Sequence, residues 1–277
     1  MTTNAFPSAS NINGGKALTE ANMRRSTVLG NFNHATLGLA LTLSGGSVIV
    51  GAGEAIIGGR RVWIDGSDSP TWAPGDLGAN ATKFIHLKTV EDGSGNLASV
   101  SFTAETSCKW QATSGPNTHY LCLGRVKTNA TTITEVVNAI HFPRQGRGYV
   151  GRTAITSTAT LTAKAGTDYI TGLLLPKFMA PRDCLLEING VMSIQNQSAT
   201  AALYARLVDD AARTTILGAA VGHNGSDQYV PLPIGFTVNL TAGQVIAPRM
   251  LQRSNVAGSL IIPGGYAQMT GFLSDRT

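Results

Sequence analysis

The sequence predicts an all-β protein: an N-terminal β-sandwich or barrel-like module with a short N-terminal helix, followed by a C-terminal jelly-roll β-sandwich. Three observations favour this fold class. Short runs rich in Val, Ile and Thr recur along the 277 residues. Gly, Asn-Gly, Asp-Gly and Pro separate these runs, as expected for turns between strands. Hydrophobic residues make up 43% of the chain, which is enough for substantial cores.

The stretch of residues 44–65, SGGSVIVGAGEAIIGGRRVWID, shows this pattern most clearly. Its extended segments are Ser47–Val50, Glu54–Ile57 and Arg61–Ile64, with Gly-rich pairs or triplets between them. Because Gly readily adopts the positive φ of tight turns, the pattern predicts a compact β meander. The stretch contains no combination of residues that indicates catalysis.

The N-terminal half divides into an arm and a β module. Residues 1–15 are polar and we expect them to be ordered only by a partner. Residues 16–142 form the first unit, which opens with a helix over 19–29 that Thr19 caps and Gly30 ends. Alternating runs at 83–90, 97–103, 119–127 and 131–140 predict antiparallel strands, with a further short segment at 108–112.

A boundary is predicted at residues 143–151, PRQGRGYVG, which read as a linker. Residues 152–277 then contain eight to ten candidate strands, including Thr153–Thr162, Cys184–Ile194, Tyr229–Ile234 and Phe236–Leu240. That many strands in such a length is typical of a two-sheet jelly roll.

Charge argues for a protein that associates with other subunits. Charged residues make up only 13% of the chain, and a surface poor in charge is less protected against association. The net charge of +5 is spread along the chain, so we expect no nucleic-acid binding. We also expect no membrane insertion, because no apolar run approaches the length of a membrane helix. The first residues lack the pattern of a secretion signal, so we expect assembly in a cytoplasm.

Cysteines and histidines show no metal-binding spacing. Cys108, Cys122 and Cys184 favour buried free thiols, with a Cys108–Cys122 bridge across a hairpin as the alternative. The five histidines, none of which stands in a metal-binding motif with another, are His34, His86, His119, His141 and His223. His86 and His119 fall in predicted strands and could approach each other, but we predict no metal site and no cofactor. An ion held by symmetry-related histidines of a trimer is the remaining alternative.

Candidate catalytic and ligand-binding residues are few. The loop 92–96 begins like a calcium loop but lacks its later positions, so a hairpin is predicted. The neighbouring acids Asp65 with Asp68, and Asp209 with Asp210, favour turns over a glycosidase pair, and we predict no enzyme.

Aromatic residues and loops are the remaining candidates for ligand contact. The aromatic residues of the first unit that could stack on a sugar are Trp63, Trp72, Trp110 and Tyr120. Among them Trp72 is expected to be the most exposed, because loop-forming residues surround it. The loops 195–200 and 222–227 are candidate contact loops in the second unit. The sequence leaves the ligand-binding residues unknown.

The first unit resembles the N-terminal module of tailed-bacteriophage minor tail, baseplate and fibre proteins. The resemblance covers residues 10–142 and depends on Val48 to Gly58, Phe84 to Val100, Leu121 to Val126 and Thr132 to Ile140. That family often ends in D-x-R, whereas this chain has Ala139-Ile140-His141-Phe142. The resemblance implies that the first unit attaches to a virus particle.

The second unit resembles the trimeric jelly-roll heads of the tumour-necrosis-factor and C1q type. The residues that carry the resemblance are 240–246, LTAGQVI, and 265–273, GYAQMTGFL, which stand where such folds have their last strands. The resemblance implies a homotrimeric virion protein, a tail or baseplate appendage assembled in the host cytoplasm. Its expected partners are two further copies, other tail, baseplate or capsid proteins, and a host-surface glycan or protein. The alternatives are a capsid head fibre or decoration protein and a secreted carbohydrate-binding module.

Overall fold

The structure, a computed structural model, describes residues 33–65, 70–110, 117–143, 146–163, 168–196, 203–210, 216–220, 230–254, 258–262 and 264–276. In these ranges the chain is almost entirely β-strand, with one four-residue helix, α1 (Pro74–Leu77). The predicted all-β fold class is confirmed. The predicted arm 1–15 and helix 19–29 lie outside the described residues. None of the helical structure described is long and apolar enough to cross a membrane.

Ten strands form the first unit. They are β1 (His34–Gly38), β2 (Leu41–Ser44), β3 (Ser47–Val50), β4 (Gly53–Ile57), β5 (Arg60–Ile64), β6 (Thr71–Trp72), β7 (Thr82–Glu91), β8 (Leu97–Glu105), β9 (Thr118–Thr128) and β10 (Ile133–Asn138). They are arranged in three antiparallel sheets, β1-β4-β5, β2-β3-β6 and β10-β9-β7-β8. All three sheets contribute side chains to one hydrophobic core. Examples that are fully or almost fully buried are Val48, Ile57, Leu87 and Leu123.

One long bent hairpin runs through two of these sheets. Residues 34–44 and 47–57 pair antiparallel along their length, but the pair bends between β1/β4 and β2/β3. At the bend Gly38 has φ +65°, and a Cβ on Gly53 would collide with the backbone at Leu37 and Leu39. The predicted meander is therefore wrong in one respect. Strand β3 pairs with β2 and β6 instead of β4, because the Gly51–Gly53 segment is a bend and not a hairpin turn.

Twelve strands form the second unit. They are β11 (Gly148–Ile155), β12 (Ala159–Ala163), β13 (Asp168–Leu174), β14 (Phe178–Met179), β15 (Cys184–Asn196), β16 (Leu203–Asp209), β17 (Ile216–Ala220), β18 (Val230–Leu240), β19 (Val245–Ile246), β20 (Pro248–Ser254), β21 (Gly258–Ile262) and β22 (Ala267–Asp275). The predicted strand Thr153–Thr162 divides into β11 and β12. The predicted Tyr229–Ile234 and Phe236–Leu240 join into β18, because Gly235 pairs with Asn189 in a continuous ladder.

The pairing of eight of these strands defines a jelly roll. In chain order these eight are β11, β13, β15, β16, β17, β18, β20 and β22. The first pairs with the last, the second with the seventh, the third with the sixth and the fourth with the fifth. Strand β22 then pairs with β15, and β20 with β16, which gives the two sheets β11-β22-β15-β18 and β13-β20-β16-β17. A long hairpin rolled into two Greek keys has this order.

Alternating side chains of both sheets fill the space between them. Leu186, Ile188 and Met269 from the first sheet and Leu207 and Met250 from the second are all fully buried. Strand β18 has two prolines on the edge of the first sheet, Pro231 and Pro233. Because proline lacks an N–H, it blocks the pairing of a further strand at this edge.

The two units touch along a small junction. Cys122, Val137 and Met179 form a buried cluster against which Phe84, Cys108, Ala139 and Val245 pack. Ala139 also makes an isolated parallel bridge with Met179, and the Ile140 amide donates to the Met179 carbonyl at 3.2 Å. The division of the chain at residues 143–151 stays a prediction.

We predict that a methyl group at Gly190 destabilises the jelly roll. A Cβ there would overlap the Gln268 carbonyl, so Gly190→Ala forces β15 and β22 apart. Overpacking of this kind costs about 1–3 kcal/mol of the free energy of unfolding. Gly235→Ala is the matched control, because nothing lies within 4 Å of its Cβ position. Denaturant unfolding of both variants tests the prediction, and equal stabilities would contradict it.

Candidate functional site

The solvent-facing side of the sheet β11-β22-β15-β18, here called the outer face, is a candidate contact surface of the second unit. Along β22 the buried Ala267, Met269, Gly271 and Leu273 point inwards, so the intervening residues point outwards. The ladder registers extend this alternation to the neighbouring strands. The outward residues are Tyr149, Arg152, Ala154, Leu185, Glu187, Asn189, Val191, Pro231, Pro233, Gly235, Thr237, Asn239, Gln268, Thr270, Phe272 and Ser274.

The outer face is poor in charge. Arg152 and Glu187 are its charged members, and both have partners. The Arg152 guanidinium donates to the Gln268 side chain, and the Glu187 carboxylate accepts from the Ser274 hydroxyl at 2.7 Å. By contrast, β16 and β20, two neighbouring strands of the opposite sheet, carry three arginines: Arg206, Arg249 and Arg253. The outer face is therefore the surface that loses less hydration of charge when it is covered.

Aromatic side chains occupy one end of the outer face. The rings of Tyr149 and Phe272 lie 5.7 Å apart, and Tyr149 is 59% exposed. The Arg147 guanidinium lies 5.8 Å from the centre of the Phe272 ring and 2.8 Å from the Glu187 carboxylate. Exposed aromatic rings with an adjacent Arg are frequent at protein interfaces. Sequence reasoning missed this group because Tyr149 falls in the predicted linker, although the alternation Ala-Gln-Met-Thr-Gly-Phe in β22 signals one outward face.

Cys108 and Cys122 lie where the first unit meets the second, whereas Cys184 belongs to the core of the jelly roll. All three cysteines are free thiols, so the prediction of free thiols is confirmed; Cys122 and Cys184 are buried and Cys108 is half-buried. Burial raises the pKa of Cys184 to about 12. His86 and His119 have separate partners. The Lys109 amide donates to His86 Nε2 at 2.9 Å, whereas His119 Nε2 lies 3.0 Å from the Glu91 carboxylate.

The acidic candidates have local structural partners. Asp209 accepts from the Ala247 amide at 3.0 Å, and Asp210 forms an ion pair with Arg249. Asp92 accepts from the Ser94 and Asn96 amides, and these backbone hydrogen bonds, first that of Asn96, lower its pKa. The loop 92–96 joins the paired strands β7 and β8, so the hairpin prediction is confirmed. Asp68 lies outside the described residues.

The prediction that Trp72 is the most exposed aromatic residue is wrong. Trp72 packs against the core of the first unit, with its ring 6.4 Å from that of Phe102 in an edge-on arrangement. Its strand β6 pairs with β3. The sequence did not indicate this pairing, because loop-forming residues surround Trp72. Trp63 is more exposed, at 40%, whereas Tyr120 is buried. The side chains of His34 and His223 and the loop 222–227 lie outside the description, as does most of the loop 195–200.

An ionic group also connects the two units. The Glu135 carboxylate on β10 accepts from Arg125 at 2.7 Å and from Lys177, which follows β13 in the second unit. Burial alone would raise the pKa of Glu135, but the hydrogen bonds from Lys177 and Arg125 and their positive charges lower it to about 2. Lys127 lies 3.6 Å from the same carboxylate. Glu135 therefore stays ionised and paired far below neutral pH.

Comparison with known proteins does not place the chain in a family, because no family model and no curated protein matches it. Similar solved structures include Eiger TNF from S. frugiperda, with 8% identity over 47% of this chain and 95% of that chain and a TM-score of 0.28. A carbohydrate-binding module of Cellvibrio mixtus lichenase 5A, in complex with cellotriose, has 14% identity over 47% of this chain and 98% of that chain, with a TM-score of 0.25. T=1 particles derived from infectious bursal virus give 10% identity over 89% of this chain and 73% of that chain, with a TM-score of 0.31.

At these TM-scores the likenesses carry no argument about function. The strand order and pairing, taken by themselves, define the class: an all-β protein whose second unit is a jelly roll.

We predict that the Glu135 ion pairs lose their contribution to stability between pH 4.5 and about 2. The folded-state pKa of about 2 lies below the ordinary glutamate pKa of 4.5, so the contribution is complete above pH 4.5 and falls as the pH falls. The melting temperature of Glu135→Gln should therefore be below that of the native chain at pH 6 and converge with it near pH 2. Thr134→Ala, a change at the neighbouring exposed position, is the control and should show no such convergence. A stability difference that does not change with pH would contradict the role of the carboxylate.

Proposed function

We propose that this chain is a structural protein of a bacteriophage virion, a homotrimeric tail or baseplate appendage that contacts the host surface. The observation that carries the proposal is the complete jelly roll of β11–β22, joined to a separate β-rich unit. The resemblance of residues 10–142 to the attachment module of phage tail and fibre proteins supports it. In this proposal the first unit binds the particle and the jelly roll is presented outwards.

The outer face supports trimer formation. Its partly exposed Leu185, Val191 and Phe272 lie among uncharged polar residues, a composition that favours contact with another protein surface. The prolines on β18 disfavour association by edge pairing of strands, so copies would pack through faces. A closed ring of three copies also avoids open-ended assembly.

Host contact would operate through multivalency. Three copies place three identical sites on one rigid head, so that binding at one site raises the effective concentration at the other two. Weak individual sites then give strong attachment. This mechanism accords with the described jelly roll, in which Tyr266, 65% exposed in the turn before β22, is an aromatic group outside the outer face.

We predict that the purified chain has about three times its mass of 28.8 kDa in solution. Thr270 lies at the centre of the outer face, opposite Arg152 on one side and Asn189 on the other. Thr270→Arg would place a charge in the proposed contact and should convert the trimer to monomers. Light scattering coupled to gel filtration measures both masses.

Thr131→Arg, in an exposed turn of the first unit, is the matched control and should remain trimeric. A monomeric native chain at micromolar concentration would contradict the trimer and favour a monomeric binding module. Electron microscopy of antibody-labelled virions separates the tail appendage from a capsid head fibre or decoration protein by the position of the label.

A further inference from the structure

One cluster of His and Cys side chains lies at the junction between the units. In the described residues, His86, Cys108 and Cys122 are the group of metal-ligating side chains brought together, with their ligand atoms within 4.8 Å of one another. His86 on β7 lies directly opposite Cys122 on β9 in the ladder. Cys108 follows the end of β8. The strand pairing therefore brings together three side chains that are spread over a stretch of 37 residues, 86–122, in the sequence.

The imidazole of His86 is fully buried, and its hydrogen bond identifies which ring nitrogen has a lone pair. The Lys109 amide donates to Nε2, so Nε2 carries a lone pair and the proton of the neutral ring belongs on Nδ1. The Tyr120 ring contacts the imidazole edge-on at 5.9 Å and fixes its orientation. Lys109 follows Cys108 directly, so this lone pair points towards the segment that carries the thiol.

The Cys122 thiol is buried and the Cys108 thiol is half-buried. The Cys108 thiol donates weakly to the Pro181 carbonyl at 3.7 Å. A thiolate in this apolar setting needs a positive charge beside it. A bound divalent cation supplies that charge and displaces both protons to solvent.

We propose that Cys108 Sγ, Cys122 Sγ and His86 Nε2 bind one thiophilic divalent metal ion of the zinc class. Two sulfurs and one imidazole nitrogen are a set that Zn²⁺ prefers, and magnesium and calcium, which prefer oxygen, do not. On binding, the ion takes the place of the Lys109 amide at Nε2, and two thiols become two thiolates. A small cleft lined by Trp110, Tyr120, Cys122 and Arg182 adjoins the cluster at Cys122.

Such an ion would fix the segment of the first unit that packs against the second unit. Cys108 packs in the junction cluster with Met179 and Val245 of the second unit, and a Cβ on Gly243 would overlap the Cys108 Cβ. Cys122 belongs to the central strand pair of the first unit. A metal that joins these two cysteines therefore holds the 106–110 segment between the sheet of one unit and the loops of the other.

The test is titration of the reduced, metal-free full-length chain with Co²⁺, whose thiolate complexes absorb light whereas Zn²⁺ complexes do not. We expect one Co²⁺ per chain, sulfur-to-cobalt absorption in the near ultraviolet and the visible bands of tetrahedral Co²⁺. Zn²⁺ should displace the Co²⁺ and remove the colour. Cys108→Ser and Cys122→Ser should lose the sulfur absorption, and the matched control Cys184→Ser, also a buried cysteine, should retain it.

A second measurement on the native chain keeps the proposal falsifiable if a variant fails to fold. Zn²⁺ should raise its melting temperature and protect the half-buried Cys108 from alkylation under native conditions, as peptide mass analysis would show. Absence of cobalt absorption with all thiols reduced would overturn the proposal. So would sulfur absorption that survives both cysteine variants. A Cys108–Cys122 disulfide in protein purified in air, together with no Co²⁺ binding after reduction, would assign the pair to redox chemistry and also overturn it.

Discussion

The second unit depends on one strand ladder, in which β22 pairs with β15 at nine consecutive positions from Cys184 to Met192. This pairing brings the last strand of the chain between the first and third strands of the jelly roll, so the sandwich closes only when the whole unit has been made. Its tightest point is Gly190, whose missing side chain lets the Gln268 backbone approach. The ladder also sets which residues point inwards, since a shift by one position would exchange the two faces.

The same register produces the outer face. Once Ile188 and Met269 are fixed in the core, Asn189 and Thr270 must face solvent, and the aromatic pair Tyr149 and Phe272 comes together at one end. Side chains of the opposite sheet alternate between core and solvent in the same way, but arginines occupy several of its outward positions. The two faces of one sandwich therefore differ in the cost of removing them from water, and this difference makes the outer face the better candidate for contact with another protein.

Local patterns in the sequence predicted much of this fold, and long-range pairing accounts for what they missed. The segments around residues 47–64 are strands as expected, because Val, Ile and Gly act over a few residues. The pairing of β4 with β5 is as expected, but that of β3 with β4 was predicted wrongly, since a bend at Gly51–Gly53 and a hairpin turn have the same composition. Trp72 was misplaced for a similar reason: its burial depends on pairing with a strand that lies more than twenty positions earlier. The outer face requires the register of β22 with β15, which no local pattern contains.

The group of His86, Cys108 and Cys122 shows the same limit for the prediction of metal sites. Spacing rules find metal sites whose ligands share one turn or one loop, and here the ligands come from three neighbouring strands or their ends. His86 and Cys122 are adjacent only because β7 pairs with β9, with a register shift between Ile85 and His86. The site and the junction share Cys108 and Cys122, so stability of the contact between units and occupation of the cluster are thermodynamically linked. A cation that binds the joined state would therefore stabilise the contact between the two units.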